Sequence, residues 1–449
     1  MTGTDSGLLA PTWAGTPVAA ETDDEAWLRA MVDVEAALAR AQARLGIVPD
    51  SAAKAISAVS ASQLDIVQLA VDSRGAANPV VAFVPALMKL VPPEVAEHVH
   101  RGSTSQDILD SATMLVVQRV RTLLLADLRR CAAALAGLAA DHRSTLIAGR
   151  TLTQHAVPTT FGLKAAGWLS LVLDCIDRLE ALVLPAELAG AAGTLAAYVE
   201  YGRQAGVSGG VPLIAPFAEE LGLAEPVGPW HTLRTPIMDV GNALQFTAGA
   251  LGKIGIDVQV LSRTEIGEVA EPAADGRGAS SAMPQKRNPV LATLIVTAAR
   301  QVAAQVSVLA ASMVAEDERP GGAWHAEWQT LREALRLVGG ATFTAAELLE
   351  GLEVFPERMA ANLALSGGAI VSERLNVALA PVLGKAAAKK VLAEASREAA
   401  ATGKSLREAL AGRIEAELPL DDLLDPAQYI GDAPALVDRV LRRYEPGGK

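Results

Sequence analysis

The sequence predicts an all-α protein whose centre is a bundle of long helices. The chain is 51% apolar but only 4% aromatic, so its apolar mass is mainly Ala, Leu and Val. Small aliphatic side chains favour close packing of helix against helix. Long apolar runs flank one polar loop, residues 278–289, and each could form a helix of about 40 to 45 Å. Helices of that length indicate a bundle whose apolar faces are shared between subunits.

The first predicted element is an amphipathic helix. Apolar residues recur at three- and four-residue steps over residues 26–45, which corresponds to about six helical turns. Thr22 or Asp23 can cap its start, and Gly46 ends the pattern. Shorter, proline-interrupted segments follow. Together they predict a small N-terminal helical domain over residues 1–110.

Two further domains follow from the length of the helical runs. The runs lengthen over residues 111–355, which predicts the central long-helix bundle, and shorten again over residues 356–449, which predicts a C-terminal helical domain. The stretch 291–315 is apolar enough to resemble a membrane span. Because Arg300, Gln301 and other polar residues recur within it, we interpret it as a buried bundle helix.

Charge and cysteine content exclude several functional classes. A net charge of −12 and a pI of about 5.1 argue against nucleic acid or an anionic membrane as a partner, because both attract a basic surface. Cys131 and Cys175 lie within apolar helical patterns, and no secretory leader begins the chain. We therefore expect a cytoplasmic protein with reduced, buried thiols.

Several short motifs are too weak to carry a function. The GVSGG segment at 206–210 lacks the strand and helix that a hydrolase elbow needs. His98 and His100, like His325 and Glu327, are two residues apart and would point to different helix faces. No cluster of Cys and His has the spacing of metal ligands. We expect no metal and no cofactor.

The segment HRGSTSQDILDSA at 100–112 places small polar residues just before a predicted helix. One interpretation is a helix cap, with Ser105 as the capping residue and Asp107 complementing the helix dipole. The other is an anion site, because free N–H groups and hydroxyls at a helix N-terminus bind carboxylates. The segment alone does not choose between them.

Two more segments are rich in hydrogen-bond donors. GRTLTQHAVPTTFG at 149–162 is predicted as a turn between helices, and loop polarity explains its threonines better than its Arg150, Gln154 and His155. The loop at 278–289 combines one glycine and two prolines with two serines and two cations. Mobility together with positive charge is typical of a lid that closes over an anionic substrate.

Three ordered segments resemble the signature segments of the fumarase/aspartase superfamily, which includes argininosuccinate and adenylosuccinate lyases. They are STSQD, GRTLTQHAVPTTFG and SSAMPQKRNP. The stretches PWHTLRTP and EDERPGGAWHAEWQTL further resemble bacterial 3-carboxy-cis,cis-muconate cycloisomerases. The resemblance implies a homotetramer in which each active site is assembled from three subunits.

The resemblance also implies catalytic roles. Ser280 matches the serine that moves the proton next to a substrate carboxylate, and Lys286 and Asn288 match the residues that hold that carboxylate. The anion-binding segment and the donor-rich stretches supply the other candidates. These substrate-binding candidates are His100, Thr104, Ser105, Gln106, Arg150, Thr153, Gln154, His155, His231, Arg234, Ser281, Met283, Arg319 and His325.

The sequence departs from the superfamily pattern at two positions. Ala279 replaces the glycine before the serine pair, which is expected to stiffen the loop. Leu152 replaces the histidine of the amine-releasing lyases. Release of an amine needs a proton donor, whereas a carboxylate with a pKa of about 4 is a stable anion without one.

The expected activity is therefore lactonisation of 3-carboxy-cis,cis-muconate, a small anionic tricarboxylate of protocatechuate breakdown. One carboxylate adds to a conjugated double bond, and Lys286 stabilises the charge that develops on the neighbouring carboxylate. Two alternatives stay open. One is a β-eliminating lyase that releases fumarate from a succinyl-type substrate, and the other is a catalytically idle structural protein on the same scaffold.

Overall fold

A computed structural model describes residues 7–274, 276–278, 283, 286–414 and 418–444. Within these residues the chain divides into two compact units. Unit 1 comprises 1–127, 175–252 and 294–344, and unit 2 comprises 128–174, 253–293 and 345–449. Five long helices (α7, α8, α11, α12 and α13 below) contribute residues to both units. The predicted domain boundaries near 110 and 355 therefore stay predictions.

The prediction of a helical fold is confirmed. The α-helices are α1 (Pro17–Glu21), α2 (Asp24–Arg44), α3 (Asp50–Ser57), α4 (Ile66–Asp72), α5 (Pro79–Met88), α6 (Pro93–Ala96), α7 (Ser105–Asp141), α8 (Phe161–Glu180), α9 (Ala196–Gln204), α10 (Ile214–Leu221), α11 (Thr235–Leu261), α12 (Val290–Ser312), α13 (Ala323–Glu350), α14 (Pro356–Ala364), α15 (Ser372–Leu383), α16 (Lys385–Thr402), α17 (Leu406–Leu410), α18 (Leu420–Leu424) and α19 (Ala433–Tyr444). Short 3₁₀ helices lie at Ala61–Gln63, Ser73–Gly75, Val211–Leu213, Ala369–Val371 and Pro426–Tyr429.

The strands form two small antiparallel ribbons. They are β1 (Leu146–Thr151) with β2 (Gln154–Thr160), and β3 (Val269–Ala270) with β4 (Glu353–Val354).

Helix α2 illustrates how the sequence pattern produces unit 1. Asp23 caps it, accepting a hydrogen bond from the backbone N–H of Ala26 at 2.7 Å. The small residues Ala30, Ala37 and Ala41 on its inner face are fully buried. Alanine at these positions permits close approach of neighbouring helices without a loss of side-chain entropy. The predicted helix and its cap are confirmed.

The segment 149–162, expected to be a plain turn between helices, is mostly a β-hairpin. Leu146 pairs with Thr160, and the register shifts between Ala148 and Arg150. A Cβ on Gly149, between those two residues, would come within 2.6 Å of the Val157 carbonyl oxygen, so only glycine fits this bulge. Periodicity over so few residues did not distinguish a short hairpin from a loop.

Unit 2 has its own apolar cores. The largest cluster packs Leu375 and Leu379 of α15 against Leu392 of α16 and Leu406 of α17. A second cluster joins Ala148 of β1 to Leu363 of α14. This contact packs the hairpin against α14 and holds β1, the strand that carries Arg150.

The polar loop between α11 and α12 is described only in part. Ala279, Ser280 and Ser281 lie outside the described residues, so the predictions on them are untested. Glu271, which precedes the loop, caps the helix that follows it. Its carboxylate accepts from the N–H groups of Leu291 at 3.0 Å and Ala292 at 2.7 Å, at the start of α12.

Helix α12 is the one described helix that is long and apolar enough to cross a membrane. The apolar window of Val290–Ser312 has a mean hydropathy of 1.5, and 33% of that window is buried within the chain. Length and composition alone do not separate a membrane span from a bundle helix. Its large apolar side chains, such as Leu291 and Leu309, are buried, and its exposed residues are mainly polar ones and alanines, together with Val308.

Candidate active site

The start of α7 is held in place by a buried aspartate. Asp107 Oδ2 accepts from the backbone N–H of Thr104 at 3.2 Å and from the Tyr198 hydroxyl at 3.0 Å. Its Oδ1 accepts from the backbone N–H of Ala189 at 2.9 Å. The side chain of Asp107 is fully buried. Asp107 lies in the first turn of α7, where one interpretation of the sequence had it complement the helix dipole, and its hydrogen bonds also hold the segment that precedes α7.

His231 and Gln106 extend this network. The His231 Nε2 atom lies 3.0 Å from Asp107 Oδ1, and the Gln106 amide donates to the His231 carbonyl at 2.8 Å. Because a carboxylate only accepts, Nε2 carries a proton in this contact, and Nδ1 is the other ring nitrogen. That Nδ1 is buried and has no hydrogen-bond partner among the described residues. The imidazole is oriented from one side only.

Arg319 brings a positive charge to the same place. Its Nε donates to Gln106 Oε1 at 3.1 Å, and its Nη2 donates to the Thr104 hydroxyl at 3.1 Å. No carboxylate among the described residues lies within ion-pair distance of it, unlike most arginines nearby. An uncompensated guanidinium beside a hydroxyl and the N-terminus of a long helix is suited to a carboxylate ligand.

Arg234 lies deeper in unit 1 and is fully paired. It donates to Asp110 at 2.7 Å and to Glu327 at 2.6 Å, and its guanidinium stacks on Trp230 at 4.9 Å. Burial opposes its charge, but the two carboxylates raise the pKa of Arg234 above its ordinary value. These hydrogen bonds join Arg234 to Asp110 and Glu327, residues far apart in the chain.

Glu187 has a pKa far above the ordinary range of a carboxyl group. Burial, with the charges of Asp107 and Asp110, raises the pKa of Glu187 to about 9. Its Oε2 accepts from the backbone N–H of Trp230 at 2.8 Å, and Oε1 lies 3.5 Å from His231 Nε2. At neutral pH the group is therefore a neutral carboxylic acid within an otherwise anionic cluster.

Asp107, Glu187 and His231 also offer ligand atoms within 4.8 Å of one another, a spacing that a metal could use. The site does not fit a cation well. Each Asp107 oxygen already accepts hydrogen bonds from N–H or O–H donors, and His231 Nε2 points its proton at the carboxylate. A metal would require that proton to leave.

In unit 2, the hairpin places Arg150 against a second buried carboxylate. Arg150 Nη2 lies 2.7 Å from Glu268 Oε1, and Nη1 lies 3.0 Å from Oε2. Asn362 donates to the same Glu268 Oε1 at 2.8 Å. The Glu268 side chain is fully buried, while that of Arg150 is 17% exposed. Arg150 is thus the matched partner of a buried anion.

The hairpin tip is open to solvent. Leu152 is 96% exposed, and Leu152 and Thr153 adopt left-handed backbone angles with φ of 47° and 69°. This is the two-residue turn that a tight hairpin requires. Gln154 follows, exposed, and His155 lies partly buried on β2. Burial, followed by the charge of Arg150, lowers the pKa of His155, so less of this imidazole is protonated at neutral pH than of an ordinary histidine.

The described part of the polar loop at 278–289 presents its polar groups to solvent. Lys286 and Asn288 are exposed, and Met283 is 43% exposed. The Asn288 amide donates to the Gly278 carbonyl at 3.2 Å, and the Asn288 N–H donates to the same oxygen at 3.1 Å. These bonds close the ends of the loop. Asn288 therefore has a structural contact as well as its implied catalytic role.

The last two candidates have different surroundings. His100 pairs with Glu35 at 2.6 Å; burial alone would lower the pKa of His100, but the hydrogen bond and charge of Glu35 raise it. His325 lies against the rings of Trp324 and Trp328, with centroids 5.4 and 4.8 Å away. Ser105 begins α7 beside Thr104.

Within unit 1 the structure thus gathers Thr104, Gln106, His231 and Arg319 into one network. Within unit 2 it joins Arg150 to Glu268. Sequence reasoning did not predict that buried acids hold both of these groups of residues. Their one signal was the repeated acid in SQDILD at 105–110, three residues apart and hence on one helix face. Glu187 and Glu268 had no local signal.

Comparison with known proteins identifies the family of this chain. Residues 17–304 match the lyase family model, and residues 368–440 match the model for the adenylosuccinate lyase C-terminus. The chain belongs to the fumarase/aspartase superfamily. The resemblance read from the three segments is confirmed, and the chain is an enzyme-family member with the corresponding helical fold.

Individual superfamily members are closely similar over nearly the full length. A nitrosuccinate lyase from Streptomyces davaonensis is 60% identical, over 97% of this chain and 94% of that protein. A 3-carboxy-cis,cis-muconate cycloisomerase from Pseudomonas aeruginosa is 44% identical, over 95% of this chain and 94% of that protein. The crystal structure of 3-carboxy-cis,cis-muconate lactonizing enzyme from Pseudomonas putida superimposes with a TM-score of 0.89 at 38% identity, covering 97% and 98% of the two chains.

Proposed function

We propose that this superfamily lyase removes nitrite from nitrosuccinate and leaves fumarate. The observation that carries the proposal is the 60% identity to a nitrosuccinate lyase over 97% of the chain. In this reaction a base takes a proton from the methylene carbon, that C–H electron pair becomes the new double bond, and the C–N bond breaks. Nitrite leaves with the bonding electrons, so one dianion yields fumarate, nitrite and a proton.

Nitrite as a leaving group is compatible with a hairpin tip that has a leucine and no proton donor at residue 152. Leu152, at the position of the histidine in amine-releasing lyases, has no proton to give and is 96% exposed. The neighbouring His155 has a lowered pKa, so less of it carries a proton at neutral pH than of an ordinary histidine. Nitrite is the anion of an acid about as strong as a carboxylic acid, so it can leave without a proton from residue 152 or from His155. Expulsion of an amine would need a proton donor.

The residues then divide by role. Ser280 takes the proton, and Lys286 with Asn288 holds the carboxylate next to that carbon, where charge accumulates as the proton leaves. Arg319, Thr104 and the N-terminus of α7 bind the other carboxylate; the distances from Arg319 to Thr104 and Gln106 support this. Arg150 and Arg234 hold buried acids in place and act by positioning.

Lactonisation of 3-carboxy-cis,cis-muconate is the second candidate. It is favoured by the 44% identity to a cycloisomerase and by the TM-score of 0.89 to a lactonizing enzyme. Its nucleophile is a carboxylate, which also needs no proton from residue 152. Both candidates use a cytoplasmic homotetramer, a small anionic substrate and no cofactor.

One experiment separates the candidates. Purified protein is given nitrosuccinate and, in parallel, 3-carboxy-cis,cis-muconate, adenylosuccinate and argininosuccinate. We expect nitrite by colorimetry and fumarate by ultraviolet absorbance in equal amounts, and no fumarate from the last two substrates. Leu152→His should leave nitrite release unaccelerated, with Leu152→Ala as its size control. A larger kcat/KM for the lactone reaction would replace the proposal with the second candidate, and inactivity on all four would reject both.

A further inference from the structure

Glu35 is a buried acid of α2 to which the proposed chemistry gives no role. Its side chain is 1% exposed. Its Oε2 accepts from the backbone N–H of His100 at 3.0 Å, and its Oε1 lies 2.6 Å from His100 Nδ1. No Lys or Arg among the described residues lies within ion-pair distance of it. His100 is therefore the partner on which this carboxylate depends.

The contact favours a positive charge on His100. A carboxylate has no proton to donate, so His100 Nδ1 carries one in this contact. A buried carboxylate is costly unless a positive charge compensates it. Burial by itself lowers the pKa of His100, but the hydrogen bond and charge of Glu35, followed by the charge of Asp107, raise it above its ordinary value. His100 thus keeps its charge at pH values where an ordinary histidine loses it.

The contact also fixes the position of His100. This residue has a φ of 57°, a left-handed backbone angle that residues other than glycine rarely adopt. Such an angle persists where the surroundings hold it, and one Glu35 carboxylate holds both the main-chain N–H and the ring. The other ring nitrogen, Nε2, makes no hydrogen bond within the described part of the chain, and unlike His231 Nδ1 it is not enclosed by protein. Its N–H is available to a ligand.

His100 lies one turn before the carboxylate site. Its carbonyl accepts from the backbone N–H of Ser103 at 3.2 Å. The next residue is Thr104, whose hydroxyl accepts from Arg319 at 3.1 Å. Asp107, whose charge acts on His100, accepts from the Thr104 N–H at 3.2 Å. One short segment thus carries a histidine cation, a hydroxyl and the start of α7, which together are suited to an anionic ligand.

We propose that Glu35 is a positioning residue of this lyase: it holds His100 as an imidazolium whose Nε2–H donates to the carboxylate that Arg319 binds. This role rests on the dicarboxylate substrate of the proposed function. Glu35 does not touch the substrate and acts through His100. Because the pKa of His100 is raised, the cation is present at acidic and neutral pH and is lost as pH rises through that pKa. Affinity for a dicarboxylate should fall over the same range.

The test measures binding of succinate, which has the two carboxylates of nitrosuccinate and no leaving group. Calorimetric titration of the full-length protein gives its Kd as a function of pH. Glu35→Gln keeps the size of the side chain and removes its charge, so it should weaken succinate binding about tenfold or more at neutral pH. The difference should narrow at alkaline pH, where the unmodified protein also loses the His100 proton. On nitrosuccinate, Glu35→Gln should raise KM by a larger factor than it lowers kcat.

Two comparisons separate this role from a purely structural one. In a His100→Gln background, Glu35→Gln should change the succinate Kd less than about twofold, because the residue through which it acts is gone. Gln42 is a matched control, since it is also buried on α2 and its amide donates to the Arg101 carbonyl at 2.8 Å, next to His100. Gln42→Met should leave the pH dependence of the Kd unchanged.

A third measurement needs no variant. Diethyl pyrocarbonate acylates neutral imidazole, and mass spectrometry locates the product in the unmodified protein. Burial, followed by the charge of Arg101, lowers the pKa of the nearby His98, so His100 should need a higher pH than His98 to react, and succinate should slow its reaction.

Three results would overturn the role of Glu35: a pH midpoint for His100 at or below that of His98, absence of succinate binding to the unmodified protein, or equal effects of Glu35→Gln with and without His100. Succinate binding with the expected pH dependence, but no nitrite from nitrosuccinate, would support the role of Glu35 in dicarboxylate binding and reject the nitrite-releasing function alone.

Discussion

Arg150 and Glu268 form a two-pronged ion pair in which Nη2 lies 2.7 Å from Oε1 and Nη1 lies 3.0 Å from Oε2. The carboxylate is fully buried, and the guanidinium belongs to the hairpin segment that resembles a superfamily signature. A buried charge that loses its partner is strongly destabilising. The pair therefore links the hairpin to the stability of unit 2.

We expect Arg150→Met to lower the free energy of unfolding by about 3 kcal/mol or more, because Glu268 would be left buried and unpaired. Adding Glu268→Gln should restore most of the loss. Arg130 provides a matched control: it makes the same two-pronged contact with Glu350 at 2.9 and 2.7 Å, but both side chains are 45% exposed. Arg130→Met should cost no more than about 1 kcal/mol in urea unfolding. Equal costs at the two positions would contradict the burial argument.

Arg319 is expected to act on substrate affinity. Arg319→Gln removes the one cation that contacts Thr104 and Gln106 within the described residues, so KM for nitrosuccinate should rise about tenfold or more. The comparison is Arg203→Gln, since Arg203 is 71% exposed and pairs with Glu200 on the surface. If steady-state kinetics give an unchanged KM for the Arg319 variant, the carboxylate site lies elsewhere.

Ser280→Ala should remove nearly all turnover, with kcat falling by about 10² to 10⁴-fold. Substrate binding, measured by equilibrium dialysis, should change little, because the hydroxyl acts in proton transfer more than in ground-state affinity. Ser281→Ala is the adjacent control and should retain most of its rate. The opposite pattern would assign the proton transfer to Ser281.

Glu187 predicts a pH dependence of stability. Its pKa of about 9 in the folded protein is above the unfolded value of about 4.3, so the folded state binds this proton more tightly. That contribution is complete below the unfolded pKa and is lost as pH rises through the folded pKa. The Glu187→Gln variant has no carboxyl group to titrate at this position and does not lose this contribution. Its free energy of unfolding should therefore rise relative to that of the unmodified protein between neutral and alkaline pH.

The measurement is urea unfolding at several pH values on both proteins. Glu225 is an exposed glutamate of the same unit, and Glu225→Gln should show a pH-independent difference. A Glu187→Gln difference that is equally flat would mean that Glu187 ionises normally in the folded protein.

Sedimentation velocity at micromolar concentration should report a tetramer. The reason is α12, on which Ala303, Ala304, Val308, Ala310 and Ala311 are exposed, since small apolar side chains permit close packing of another helix. Val308, on this helix, is 39% exposed. Val308→Glu should dissociate the assembly and abolish turnover together. A fully active monomer would reject both the shared bundle and the shared site.

Much of the local structure was readable from the sequence. The three-to-four periodicity and Asp23 defined α2 and its cap, and the apolar runs on either side of residues 278–289 predicted α11 and α12. These features depend on neighbours within a few turns, so the sequence pattern encodes them directly. The hairpin was missed because its strands have only six and seven residues.

The three signature segments also determined the superfamily, because their residue types and order are read without a structure. Which charges are available for a ligand was decided by the tertiary structure alone. Arg150 meets Glu268 across 118 residues of chain, and Gln106 meets Arg319 across 213. The spacing of residues in the sequence does not reveal such pairs. Whether an arginine is free to bind a ligand depends on whether folding brings a buried acid next to it. Arg150 and Arg234 acquired carboxylate partners, and Arg319 acquired only neutral ones.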